Sequence, residues 1–204
     1  MFSDESGFPL FAKFSRAFVR RGPGEAFLPQ CIKPTVKHGG GKVMVWGCFS
    51  ILGPGVIKRV EGKMTKEVYH GILTHHYVPH IRKLTKDHPQ PQGHWMLQQD
   101  NDPKHKAKIN KAYLKKQSEL KSPPFQLLDW PSQSPDMNPI EHVWAKLKAD
   151  IRAKHLKFTS EETLWAYVQT EFQRLPLDFI KNLIHSMPRR VKMVIKQKGG
   201  STSY

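Results

Sequence analysis

One stretch constrains this chain more than any other: Trp95-Met96-Leu97-Gln98-Gln99-Asp100-Asn101-Asp102-Pro103-Lys104-His105. Its opening apolar residues predict a buried strand, and that strand runs out into Asp100 and Asp102 ahead of a proline. In an α/β sheet the carboxyl ends of strands are where ligands bind, because side chains there leave the core while still held by it. A carboxylate mounted in that way suits a hard cation. Asp4 and Glu141 are the further acids expected to meet Asp100 in space. Together they would form a metal-dependent phosphoryl-transfer site.

The charge balance points the same way. Lys plus Arg number 33 against 17 Asp plus Glu, a formal net charge of +16. That excess is beyond what solubility needs and points to a polyanion. Nucleic acid ranks before an anionic membrane surface, since dispersed Lys and Arg neutralise phosphates and release their counterions. Two cysteines, Cys31 and Cys48, make no disulfide framework and fit a reducing compartment. No basic segment followed by a long apolar one opens the chain, so no secretory signal is read. The longest apolar stretch, Val43 to Leu52, is broken by Gly47 and Ser50 and is too short to cross a bilayer.

A chain of 204 residues defaults to one domain, here expected over residues 1–198 with a tail at 199–204. Asp4 so near the start predicts a first strand whose earlier part is cut away, weakening it. Arg16, Arg20 and Arg21 fall in a basic hairpin or loop turning at Gly22-Pro23-Gly24, where they are either phosphate contacts or solvated charge. Gly39, Gly40 and Gly41 precede the best strand, Val43 to Phe49; no helix follows, which excludes a phosphate-cradling P-loop. A turn at Gly53-Pro54-Gly55 leads to Val56–Val60, the third strand of an antiparallel set.

Thr65 is placed to cap a helix running to Leu84. The histidines in it, His70, His75, His76 and His80, have no cysteine or carboxylate partners at zinc-binding spacing. A basic helix is expected from Lys104 to Leu120, with Asp102 as its N-cap and Pro103 at the first position. That assignment leaves Asp100, still on the strand, as the better metal ligand. Phe125 to Trp130 reads as a short strand.

Asn138-Pro139-Ile140-Glu141 opens a strong helix with Ile140, Val143, Trp144, Leu147 and Ile151 on one face. Glu141 lies about 100° round from Ile140, at the margin of that stripe, where it can look along the packing interface at a strand end. The same residues also fit a capping box, with Asn138 as N-cap and Glu141 as its partner. Both readings of Glu141 stand at this point. Helices from Thr159 to Leu175 and from Leu177 to Ile195 follow, the last bent near Pro188 and carrying Arg189-Arg190-Val191-Lys192.

Several motifs now combine. Ser3-Asp4-Glu5-Ser6, Pro34 to Gly41, Trp46-Gly47-Cys48-Phe49, Gln99 to His105, Trp130 to Glu141 and Met187-Pro188-Arg189-Arg190 make the chain resemble the catalytic domain of Tc/mariner-family DNA transposases. The resemblance covers almost the whole chain. It implies an α/β, ribonuclease H-like fold, a mixed sheet whose first three strands are antiparallel, flanked by helices. It also implies cut-and-paste DNA transposition, with phosphodiester hydrolysis and strand transfer at a two-metal Asp/Asp/Glu site using Mg²⁺, for which Mn²⁺ substitutes. Asp4, Asp100 and Glu141 match the three acids, both catalytic and metal-binding. The implied partners are double-stranded DNA, at transposon ends and target, and a second copy of the chain on that DNA. The implied location is the nucleus.

DNA backbone contacts are expected from Arg16, Arg20, Arg21, Lys42, Lys104, His105, Arg189 and Arg190, with Lys104 and His105 alternatively restraining Asp100. The family's N-terminal helix-turn-helix region has no counterpart here, and the Asp100-to-Glu141 interval is longer than usual. Competing readings are an inactive or co-opted DNA-binding remnant, a ribonuclease H-like nuclease and a plain basic interaction domain.

Overall fold

The computed structural model describes residues 1–10, 41–89, 95–120, 125–131, 134 and 137–198. Arg16, Arg20, Arg21, Cys31 and the tail at 199–204 lie outside them.

Alternation in the second strand sets the architecture. Strand β2 (Lys42–Ser50) is buried almost continuously, as a central strand covered on both faces must be. Val43, Val45 and Phe49 enter one apolar cluster, while Trp46 and Cys48 enter another on the opposite side. Strand β1 (Phe2–Pro9) pairs with β2 antiparallel in unbroken register, from Phe2 opposite Phe49 to Pro9 opposite Lys42. Every β1 residue from Phe2 to Pro9 has a partner on β2. Strand β3 (Gly53–Val60) pairs antiparallel on the other side of β2, with the register shifting between Gly47 and Phe49.

Strands β4 (Trp95–Leu97) and β5 (Phe125–Leu127) are short and parallel to each other, Leu97 opposite Leu127. Buried Gln98 carries the connection from this pair to β1. Its backbone N–H donates to the Met1 carbonyl at 2.9 Å, and its own carbonyl accepts from Ser3 Oγ at 2.9 Å. The end of β4 is thereby laid beside β1.

Helices α1 (Lys66–Ile72) and α2 (Val78–Asp87) are joined by a π-helical turn, Leu73–Tyr77, in place of the single helix expected from 65 to 84. Pro79 is the cause: it has no N–H to give the previous turn and its ring crowds the carbonyl four residues back, which the wider turn relieves. Thr65 does cap α1, accepting from Val68 N–H at 3.3 Å. Helix α3 spans Lys108–Ser118, starting later than expected. Helix α4 (Ile140–Ala153) buries all five residues of its apolar stripe. Helix α5 (Glu161–Gln173) has a capping box of Ser160 with Thr163. Helices α6 (Leu177–His185) and α7 (Met187–Lys196) meet at Ser186, two residues before the bend expected at Pro188, which sits in the first turn of α7 where proline is tolerated.

Helices α4, α5 and α6 cover one face of the sheet, with Trp144, Phe172 and Ile180 at their contact. Helices α1, α2 and α3 cover the other, through Tyr69, Tyr77, Ile81 and Leu114. Two helical layers therefore clamp the three-stranded antiparallel sheet, with β4 and β5 as a separate parallel pair at its edge, the mixed α/β arrangement expected from the sequence. Among the described residues no helix is long and apolar enough to cross a membrane.

A candidate active site between β1, β4 and α4

Helix α4 is fastened along β1 at three levels. Asn138 Nδ2 donates to the Ser3 carbonyl at 3.3 Å. Trp144 meets Phe8 edge-on at 6.2 Å between ring centroids. Lys148 Nζ donates to Ser6 Oγ at 2.8 Å. Because the helix is fixed in this register, Glu141, at its first turn, comes to the cleft that Asp4 faces.

Asp100 arrives from the far end of β4. A cleft of about 540 Å³ is lined by Asp4, Glu5, Asp100, Asp102 and Glu141, with Trp130 and Asn138 among its walls. The structure thus brings Asp4, Asp100 and Glu141, the three acids singled out in the sequence, around one opening. Two more carboxylates, Glu5 and Asp102, share it.

Their electrostatics differ by position. Burial raises the Asp4 carboxyl, and although the Glu5 backbone N–H bonds its charged form, Glu141, Glu5 and Asp100 add repulsion, leaving it at about 8. For Asp100 burial pulls upward too, but the bonds from His105 and from the Asp102 N–H outweigh it and hold the carboxyl below the ordinary range. His105 Nδ1 bonds Asp100 Oδ1 and its Nε2 lies 2.9 Å from Glu5 Oε1. Burial alone would lower the His105 imidazole; the two carboxylates raise it instead to about 9. Burial lowers the Lys148 ammonium below the usual lysine range despite the attraction of Glu141 and Asp4.

Several sequence expectations are revised by this geometry. Asp102 does not cap α3, whose N-cap position is Ala107. It caps the tight turn before the helix: Oδ1 accepts from Lys104 N–H at 2.9 Å and its carbonyl from His105 N–H at 2.9 Å. The short Asp side chain satisfies the first free N–H it meets, which is that of the turn. Asn138 likewise is not the N-cap of α4, a position held by Pro139 without a side-chain bond. Its side chain still serves the start of the helix from one position earlier: Oδ1 accepts from Ile140 N–H at 3.5 Å while Nδ2 donates to the Ser3 carbonyl. No capping box therefore competes for Glu141.

The expected DNA contacts divide. Lys104 is drawn inward, 2.6 Å from Asp102 Oδ2 and 3.3 Å from Glu5 Oε2, rather than presented to a phosphate. His105 is 2 % exposed, so it restrains Asp100 and offers DNA no surface. Arg190 is also 2 % exposed; Nε donates to Ser186 Oγ at 2.9 Å and Nη1 meets His142 Nε2 at 3.0 Å, which pins α7 to α4. Only the one-residue offset along α7 separates it from Arg189, which is exposed, as is Lys42 at the start of β2.

Glu5 was missed by sequence reasoning. Its signal was present: period-two alternation puts it on the opposite face of β1 from Asp4, towards the layer that carries His105. Buried Cys48, its thiol pushed up to about 12 by burial, takes no part.

As placed, no three His, Cys, Asp or Glu side chains among the described residues close a metal-binding group. The donor chemistry nonetheless fits a divalent cation. Asp4, Asp100 and Glu141 are hard oxygen donors around one cleft, and burial together with the neighbouring carboxylates disfavours the ionised form of Asp4, a cost that a divalent cation would relieve.

The fold and acids define a nuclease-like class of protein, and the comparisons give it a family. Residues 1–165 match the model of the DDE superfamily endonuclease domain. The Tcb1 transposase of Caenorhabditis briggsae is 40 % identical over 205 residues, covering 100 % of this chain and 70 % of its own length. The Tc1 transposase of Caenorhabditis elegans is 39 % identical over 210 residues, with the same shares covered. In fold the chain is similar to the Mos1 mariner paired end complex with Mn, at a TM-score of 0.75 and 20 % identity, over 98 % of this chain. It spans 56 % of that Mos1 chain. The isolated Mos1 catalytic domain aligns over 79 % of this chain at a TM-score of 0.63 and 19 % identity. The chain belongs to the DDE superfamily endonuclease family. Within it, the chain is a transposase catalytic domain with a ribonuclease H-like fold.

Proposed function

We propose that Asp4, Asp100 and Glu141 are the acidic triad of a cut-and-paste DNA transposase, holding two Mg²⁺ ions, or Mn²⁺ in their place, against double-stranded DNA. The observation that carries this reading is the meeting of three carboxylates, from the first strand, the fourth strand and the fourth helix, around one cleft in a chain of net charge +16. The Mos1 neighbours support the metal, since their structures are described with Mg and with Mn. They support the DNA as well, being described as paired-end and strand transfer complexes.

Each residue has a definable part. Asp4, mounted mid-strand on β1 opposite Gly47, has little freedom to move and fixes the floor of the site. Asp100, its Oδ1 already engaged by His105 and Asp102 N–H, presents its remaining oxygen. Glu141 closes the third side from α4. The chemistry that divalent cations supply in such a site is Lewis-acid charge, activating an attacking water or 3′-hydroxyl and offsetting charge on the leaving oxygen. Hydrolysis frees the element's ends, and transesterification by the same geometry joins them to target DNA. Exposed Arg189 and Lys42 contact the DNA backbone without reading sequence. The working form is a dimer on DNA, in the nucleus, with residues 1–198 as a single catalytic domain.

The test is cleavage and joining of a duplex carrying transposon ends in Mg²⁺, with the chain alone and with an end-binding region joined to it. Nicking and strand transfer that Asp100→Asn and Glu141→Gln both abolish are expected. Activity retained in either variant would reject the triad; cleavage that never yields joined product would mean a nuclease instead.

A further inference from the structure

Asp4 and Glu5 are neighbours that face different ways. Asp4 pairs with Gly47, against which Trp144 of α4 packs, whereas Glu5 pairs with Trp46, whose ring belongs to the opposite apolar cluster with Tyr69. On that second side Glu5 meets His105, and His105 meets Asp100. A carboxylate, an imidazole and a carboxylate therefore form a continuous line from β1 to the end of β4.

We propose that Glu5 is a positioning residue acting through His105, and that the pair fixes Oδ1 of Asp100 so that this carboxylate meets a divalent cation through Oδ2. The inference rests on the reading of Asp100 as a metal ligand. Every joint of the line is braced. Glu5 Oε2 is 3.3 Å from Lys104 Nζ, which sets the rotamer of its carboxylate. The His105 ring lies 4.0 Å from that of Tyr69, tilted 36°, and the Tyr69 hydroxyl donates to Gln99 Oε1 at 2.8 Å. Asp100 Oδ1 also accepts from Asp102 N–H at 3.1 Å, so two donors occupy the same oxygen. Fully buried Asn110 donates to the Lys104 carbonyl at 2.8 Å and holds the backbone of the turn that carries His105.

Valence defines the state of the ring. Ionised carboxylates only accept, so His105 donates from both nitrogens. Buried ion pairs of this kind add little net stability, and an apolar replacement would serve the core as well. What the arrangement accomplishes is orientation: carboxylates that ligate metals are themselves held by hydrogen bonds, and removing those partners weakens metal binding.

Calorimetric titration of Mn²⁺ into the full chain tests this. Glu5→Gln keeps the shape of the side chain, and it is expected to weaken Mn²⁺ binding by about tenfold to a hundredfold. His105→Gln should do the same, and the double variant should bind no more weakly than His105→Gln alone, since one residue acts through the other. Unchanged affinity in a folded Glu5→Gln protein would overturn the proposal. So would losses that multiply in the double variant, which would mean that Glu5 acts on the cation independently.

Asp100→Asn is titrated alongside. If it binds Mn²⁺ as wild type does, the reading of Asp100 fails and this inference with it; if it abolishes binding while Glu5→Gln does not weaken it, only the relay fails. Should His105→Gln unfold, ¹⁵N spectra of the wild-type ring decide: Mg²⁺ is expected to shift His105 Nδ1, and an unmoved Nδ1 overturns the proposal.

Discussion

Trp144 occupies the space that a side chain at Gly47 would need: a Cβ built there falls 2.7 Å from the Trp144 Cη2 atom. This contact seats α4 on the sheet directly beneath Asp4, and so sets where Glu141 enters the cleft. Gly47→Ala is expected to destabilise the protein by about 1–3 kcal/mol through overpacking of a rigid, buried ring. It should cost activity beyond what partial unfolding explains. Thermal denaturation and DNA cleavage below the melting transition measure the two effects separately.

Asp4 is held against its own charge. Its carboxyl is raised, so the fold is most stable with Asp4 protonated, below the ordinary carboxylate range, and loses stability as pH climbs towards about 8. Asp4→Asn is therefore expected to raise the stability of the metal-free protein at pH 8, by on the order of 2 kcal/mol. The gain should shrink to little at pH 4. Denaturation in EDTA at the two pH values shows it, and activity should be lost throughout.

Arg189 and Arg190 are adjacent in sequence and opposite in exposure. Arg190→Ala removes the bonds to Ser186 Oγ and to the His142 ring and empties the space of a buried side chain, and is expected to cost about 2–3 kcal/mol of stability. Arg189→Ala should leave stability within about 0.5 kcal/mol of wild type. Its effect should fall instead on DNA, weakening binding uniformly across sequences and lowering the salt slope by about one unit. Denaturant melts and DNA titrations at several salt concentrations distinguish the two.

Asn138→Ala removes the amide that ties the start of α4 to the Ser3 carbonyl. Stability should fall by about 1 kcal/mol, the worth of one such bond. Cleavage should fall by about a hundredfold, because a small displacement of Glu141 misaligns the reacting geometry. A variant losing both in proportion to unfolding would argue that the bond only supports the core.

Much of this site was legible along the chain. The stripe from Ile140 to Ile151 follows from periodicity alone and stands in the structure, and so does a short strand before the acids, although it ends at Leu97 and leaves Asp100 three residues beyond it rather than on it. The choice of Asp100 over Asp102 rested on Asp102 capping the next helix, whereas Asp102 is engaged by the turn before that helix. What spacing did not disclose was partnership. Lys104, His105 and Arg190 look like surface cations in a basic sequence, yet each is turned inward by an acid or acceptor supplied from far along the chain.

The sequence by itself determined most of the elements and the two-faced central strand, because strand alternation, helical stripes and proline breaks are local properties of neighbouring residues, while the three candidate acids came from the motifs shared with the family. Only the tertiary structure decided which of the charges serve the cleft. Glu5 stands 100 positions from His105, and Asn138 stands 135 from Ser3. Such pairs form because buried polar groups must find partners once helices and strands have docked, and docking is set by the whole core rather than by any one segment.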